Sequence, residues 1–226
     1  MLKNILVGAV LGVTASVASA AIVVPPSLSP GDTYHLVFVT STTRNATSTN
    51  ILDYNAFVQA AADAANIGSG DGVDWFAIGS TQTVAARVNA LIGATNKVFL
   101  LNGTTKVADG FADMWDGSID ARINLTQTLA GYNGLVWTGS NEFGQIPTWG
   151  DQWLGDPAGE GPVGGSANVT NSGWLDSGAG NENPASLLPF YALSEELTVP
   201  TVPEPGTMGL LGLASGALLL RRRRKN

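Results

Sequence analysis

The chain has no cysteine and one histidine, His35, among its 226 residues. Without thiols there are no disulfides, no thiolate metal site and no cysteine nucleophile, so the core must be held by packing alone. With one imidazole, any Ser-His-Asp mechanism would have to run through His35. That residue lies inside Thr33-Tyr34-His35-Leu36-Val37-Phe38-Val39-Thr40, a β-branched and aromatic run, which points to a core imidazole rather than a general base. Basic residues are scarce as well. Between 21 and 205 only Arg44, Arg87, Lys97, Lys106 and Arg122 stand against all 18 acidic residues, five positive charges against eighteen negative ones, for a net charge of −13. Such a body repels nucleic acid and other polyanions, and suits cations or neutral polymers such as glycans. The two uncharged apolar runs, residues 5–17 and 206–220, both fall short of the ~20 residues of a stable membrane helix.

Both runs sit in the setting of targeting segments rather than of domain structure. Lys3, the apolar run 5–17 and Ala18-Ser19-Ala20 have the order of a signal peptide, 1–20, with signal peptidase expected to cut after Ala20. At the other end stand Val202-Pro203-Glu204-Pro205, then fifteen uncharged residues, 206–220, and then Arg221, Arg222, Arg223, Arg224 and Lys225. An apolar span closed by a basic cluster is held in a bilayer with its positive end in the cytoplasm, so everything upstream is expected outside it. Fifteen residues at ~1.5 Å each reach roughly 22 Å against a ~30 Å hydrocarbon core. The span therefore suits a transient single-pass anchor in the inner membrane, and an uncleaved tail anchor is the plain alternative. Pro203 and Pro205 fix φ and remove two backbone donors, which keeps the strip around Glu204 out of helices and sheet interiors. This order of parts over 200–226 resembles the PEP-CTERM sorting signal that exosortases process. The resemblance implies an exosortase as partner and a final place at the cell surface or in the extracellular matrix.

Between the ends, residues 21–32, with Pro25, Pro26 and Pro30, read as an extended leader, and 33–199 as one domain. The unbroken apolar stretch Leu36-Val37-Phe38-Val39 predicts a strand buried on both faces. Asn50 is placed to cap a helix over 51–66 whose Tyr54, Val58, Ala61 and Ala65 face packs on the sheet, with Gly68 closing it. A strand from Trp75, a second helix carrying Val84, Val88, Leu91 and Ile92, and a strand over 97–101 turned by Asn102-Gly103 follow. Residues 109–189 change character. They are rich in Gly, Asn and Asp and hold five of the six tryptophans, whose burial argues for an ordered layer rather than disorder.

Val136-Trp137-Thr138-Gly139-Ser140-Asn141 and Tyr191-Ala192-Leu193-Ser194-Glu195, preceded by this order of strands and helices, resemble the endostatin-like branch of the C-type lectin-like fold. The resemblance implies an α+β, mixed domain over 33–199 with a long Gly/Asn/Trp-rich loop region, flanked by the signal peptide and a C-terminal transmembrane helix. It requires the first and closing strands to be neighbours in one sheet. That family's zinc and heparin sites do not follow, because His35 has no partner histidine and the body is acidic. The lectins' Glu-Pro-Asn motif is absent as well: Glu182-Asn183-Pro184 has the residues in another order.

Trp149, Asp151, Trp153 and Asp156 are the candidate ligand residues, since aromatic planes accept the apolar faces of sugar rings. Asp109, Asp113, Asp116 and Asp120 recur at spacings that could gather carboxylates around calcium, with a solvated acidic face as the plainer alternative. No catalytic residue is assigned and no cofactor beyond that calcium is implied. Glycoside hydrolysis would need two carboxylates about 5–10 Å apart, drawn from Glu142, Asp151, Asp156 and Glu160. The expected function is that of an exported, exopolysaccharide-associated surface or biofilm protein acting as a non-enzymatic binding module. A calcium-dependent lectin and a glycan hydrolase are the alternatives.

Overall fold

Among the described residues, eight strands and three α-helices follow one another: β1 (Thr33–Val39), α1 (Ile51–Ala64), β2 (Trp75–Ala77), α2 (Ala86–Asn89), β3 (Lys97–Leu100), β4 (Lys106–Ala108), α3 (Phe111–Met114), β5 (Leu135–Trp137), β6 (Gly164–Ser166), β7 (Tyr191–Ser194) and β8 (Leu197–Thr198). The computed structural model describes residues 22–68, 72–150, 152–156, 161–178 and 183–201.

β1 is the centre of a mixed sheet of order β2-β7-β1-β3-β4, with β8 added beside the start of β1. Every residue from Tyr34 to Val39 is buried, as the unbroken apolar run requires. Alternation sends Tyr34, Leu36 and Phe38 into one core and Val37 and Val39 into the other. β1 pairs in parallel with β3, Leu36 opposite Phe99, and antiparallel with β7, Phe38 opposite Ala192. The first and closing strands are thus neighbours in one sheet.

α1 covers the first face. Asn50 caps it, its side-chain oxygen accepting from the Leu52 amide at 3.2 Å, and Asp53 lies in the first turn against the positive end of the dipole. Tyr54, Val58, Ala61 and Ala62 are buried against the sheet, while Ala65 is only half-buried. The helix stops at Ala64 rather than at Asn66, because Asn66 itself adopts the left-handed conformation, φ 56°, which asparagine tolerates better than most residues. A larger correction concerns the second helix. α2 is a single turn, Leu91 and Ile92 lie beyond it, and Val88 and Leu91 are exposed. Ser80 Oγ accepts from the Ala86 amide at 2.8 Å and Asn89 donates to the Ala77 carbonyl at 2.8 Å. This turn is pinned by polar bonds at both ends, and Ala86, Ala90 and Ile92 supply its apolar contacts instead.

The second face is covered by the glycine-rich half of the chain. Met114, Trp115, Ile119, Ile123, Val136, Trp174 and Leu175 pack on Val37, Val39, Val98, Leu100 and Leu193. Trp115, Trp174 and Tyr191 form a stack with successive ring centroids 5.9 Å apart. Burying one tryptophan of ~200 Å² is worth roughly 5 kcal/mol, about the backbone ordering cost of three or four residues, so each anchors a short stretch of irregular chain. The β5–β6 ribbon fastens this layer. Gly164 and Gly165 in β6 let the ribbon lie close: a Cβ at Gly165 would overlap the Trp174 carbonyl.

Among the described residues no helix is long and apolar enough to cross a membrane. The expected C-terminal transmembrane helix, 206–220, and the signal peptide, 1–20, lie outside the described residues.

Candidate functional site

Two poles follow from the direction of β1. At its Thr33 end lie β8 and the leader, through the pairs Thr33 with Thr198 and Tyr34 with Leu197. At its Val39 end the loops gather. Ser80 N donates to Thr138 O at 2.8 Å, Leu154 N to Ser80 O at 2.8 Å and Gly155 N to Ala46 O at 2.8 Å. The described residues between Thr138 and Leu154 are therefore anchored at both feet, on the pole opposite β8 and the leader. Gly155 holds the second foot: its φ is 82°, and a Cβ there would overlap the Ser48 carbonyl.

Of the four candidate ligand residues, this loop presents one. Trp149 is 84% exposed, the most open large apolar side chain among the described residues. Trp153 is half-buried, Asp156 is buried and has an interaction partner, and Asp151 lies outside the described residues. Trp115, Trp137 and Trp174 belong to the cores, and Trp137 Nε1 donates to the Arg44 and Ser186 carbonyls at 3.2 and 3.3 Å. The exposed apolar residues that the periodicity misplaced are Val88 and Leu91. Phe143, 41% exposed, sits close to them in the chain path, since the Arg87 amide donates to the Gly144 carbonyl at 3.1 Å. No periodic signal could have found this surface, because a one-turn helix offers too few residues to define a face.

The acidic quartet divides. Carboxylate oxygens of Asp109, Asp113 and Asp120 lie within 4.8 Å of one another, while Asp116 stands apart from the group and accepts from the amide and hydroxyl of Ser118. Lys106, on β4, bonds both Asp109 and Asp120, the latter at 3.0 Å. Those hydrogen bonds, first to Asp109 and then to Asp120, hold the lysine's pKa above its usual range. Asp113 accepts from the Asp109 amide at 2.7 Å. The cluster thus holds an ammonium on two of its three carboxylates, and a divalent ion binding there would compete with Lys106 for Asp109 and Asp120.

His35 is bound into the sheet. Its Nδ1 lies 2.9 Å from the Ser194 carbonyl, and Ser194 Oγ accepts from the Leu36 amide and donates to the Glu195 carbonyl. Nδ1 of His35 and the Ser194 hydroxyl are therefore both engaged with backbone groups.

The C-terminal signal is joined directly to the domain. Val199 N donates to Asp32 O at 2.9 Å, and the described chain ends two residues later, at Thr201. Pro203, Glu204, Pro205, Arg221, Arg222, Arg223 and Arg224 lie outside the described residues, as do Ala18 and Ala20. No curated protein matches the chain by sequence. Residues 201–225 match the family model described as the PEP-CTERM protein-sorting motif, so the chain ends in a sorting signal that supports an exosortase substrate, exported and held transiently at the membrane on its way to the surface.

Proposed function

We propose that the domain is a non-enzymatic binding module of C-type lectin-like type, carried to the cell surface or matrix by its sorting signal, where it binds neutral extracellular polysaccharide through the loop bearing Trp149. The single observation that carries this is the 84% exposure of Trp149 on a loop fixed at both feet. A tryptophan left in water on a held loop is a stacking platform for the apolar face of a sugar, and it is a poor core residue. The charge of the body agrees with an uncharged polymer, since −13 would repel an acidic one. The adjacency of β1 and β7 supports the lectin-like assignment of the fold. The calcium-dependent alternative would place its ion among Asp109, Asp113 and Asp120, in competition with Lys106.

The test compares wild type with Trp149→Ala on an array of neutral and acidic glycans, with calcium and with chelator. The expected result is calcium-independent binding to neutral polymers, reduced tenfold or more by the substitution. Thermal stability should hardly change, since an exposed side chain contributes within about 0.5 kcal/mol. Equal binding by both proteins would remove Trp149 from the site, and release of shorter sugars on incubation would replace a binding module by a hydrolase.

A further inference from the structure

We propose that the tail is removed from a domain that is already folded, by an exosortase working against the pole where both ends of the domain leave. The proposal rests on the sorting signal at 201–225. At this pole the leader is part of the fold. Ile22 packs against the core beside Val73, the Tyr34 hydroxyl donates to the Val23 carbonyl at 3.0 Å, and Gly31 N donates to Val199 O at 3.0 Å. The end of the domain is bound to the same place through β8 and through Val199 N to Asp32 O. Ile22 and Val24 from the start and Thr198 and Pro200 from the end line one cleft of ≈ 400 Å³.

Only residues 200–202 separate Val199, whose backbone bonds to Gly31 and Asp32, from Pro203. Even fully extended, that link reaches roughly 14 Å. An enzyme gripping the motif must therefore come within that distance of the folded pole, or first peel β8 away. Peeling would expose Leu197 and Val199, now 8% and 6% exposed, and break the bonds that also hold the leader. The arrangement of the ends removes any need for it. Because both ends of the described domain line one cleft, the domain can close while a signal peptide and a C-terminal span are both still in the bilayer. The pole carries Asp32, Asp74, Glu195 and Glu196 against Lys97, so the enzyme face that meets it is basic or neutral.

The absence of cysteine supplies a clean test. Thr33 and Thr198 are paired Cα partners in the sheet, and neither is buried. Thr33→Cys combined with Thr198→Cys creates the only possible disulfide in the chain and locks β8 on β1 after export. Intact mass of the surface protein from the native host is the readout. The oxidised double variant should lose its C-terminal residues to within twofold of wild type. If it keeps Asn226 while each single variant loses it, β8 must open before the cut and the proposal is overturned. Should the disulfide not form, the order of events in pulse-labelled wild type decides. A body resistant to proteinase K before the tail is lost supports cleavage of the folded form, and tail loss first overturns it. Wild type that itself retains Asn226 would instead remove the sorting reading, and this proposal with it.

Discussion

His35 shows how one buried side chain ties stability to pH. A carbonyl oxygen only accepts, so the bond to Ser194 O places the proton on Nδ1, and Nε2 is left with no partner among the described residues. The ring is 1% exposed, and desolvation lowers its pKa below 6.5, opposed in part by the backbone bonds of Ser194 and Glu195. Above pH 6.5 the ring is neutral in both folded and unfolded chains; below it the unfolded chain takes up a proton that the folded one refuses. Stability contributed by this residue is therefore fully present above 6.5 and is lost as pH falls toward the folded value. Melting temperature should fall more steeply between about pH 7 and 5 for wild type than for His35→Gln, and parallel curves would refute the assignment. Tyr191 gives a second residue-scale expectation. Its hydroxyl is fully buried with no hydrogen-bond partner among the described residues, and burial raises its pKa far above the ordinary value. Tyr191→Phe removes a desolvated group without opening a cavity and should leave stability unchanged or raise it by about 1 kcal/mol in denaturant unfolding. A loss of 2 kcal/mol or more would mean that the hydroxyl has a partner, such as buried water.

At the scale of elements, the placing of β4 beside the turn before α3 and beside Asp120, whose amide donates to the Val107 carbonyl, decides what the aspartates do. Their spacing was legible in the sequence, but Lys106 was not legible as their counter-ion, because its proximity to Asp120 depends on the fold of the intervening turn. Gly110, with φ 136° and no room for a Cβ beside the Ala94 carbonyl, sets that turn. Replacing Lys106 by Met should leave three carboxylates within 4.8 Å of one another without their cation. The variant should melt below wild type, and millimolar calcium should raise its melting temperature while leaving wild type unmoved. An equal calcium shift in both proteins would show that the lysine does not guard the cluster. α2 makes the same point from the opposite side. Val84, Val88, Leu91 and Ile92 have helical spacing, yet the chain must leave the helix after one turn to bring Lys97 opposite Tyr34, and that pairing overrides the pattern.

For the whole molecule, the ends and the sheet carry the destination. The exported protein should lack Arg221 to Asn226 by mass spectrometry, and alanine at Pro203, Glu204 and Pro205 should leave the full tail attached and the protein in the inner membrane. An intact Asn226 on surface-exposed wild type would leave an uncleaved tail anchor in place of processing. The sorting tail, the double burial of β1 and the cap at Asn50 were all legible in the chain because each is a local signal: a run of one kind of residue, an alternation, or a side chain within three positions of its partner. The tryptophans were legible only in part. The sequence set Trp149 and Trp153 apart as loop residues, but only the packing of a glycine-rich layer onto Val37 and Val39 decides that Trp115 and Trp174 are core while Trp149 remains in solvent and Trp153 is half-buried. The convergence of Ile22 and Pro200 on one cleft is likewise a product of tertiary structure. Residues so far apart in the chain meet only because β1 and β8 pair, and the free energy of that pairing comes from contacts that no local window contains.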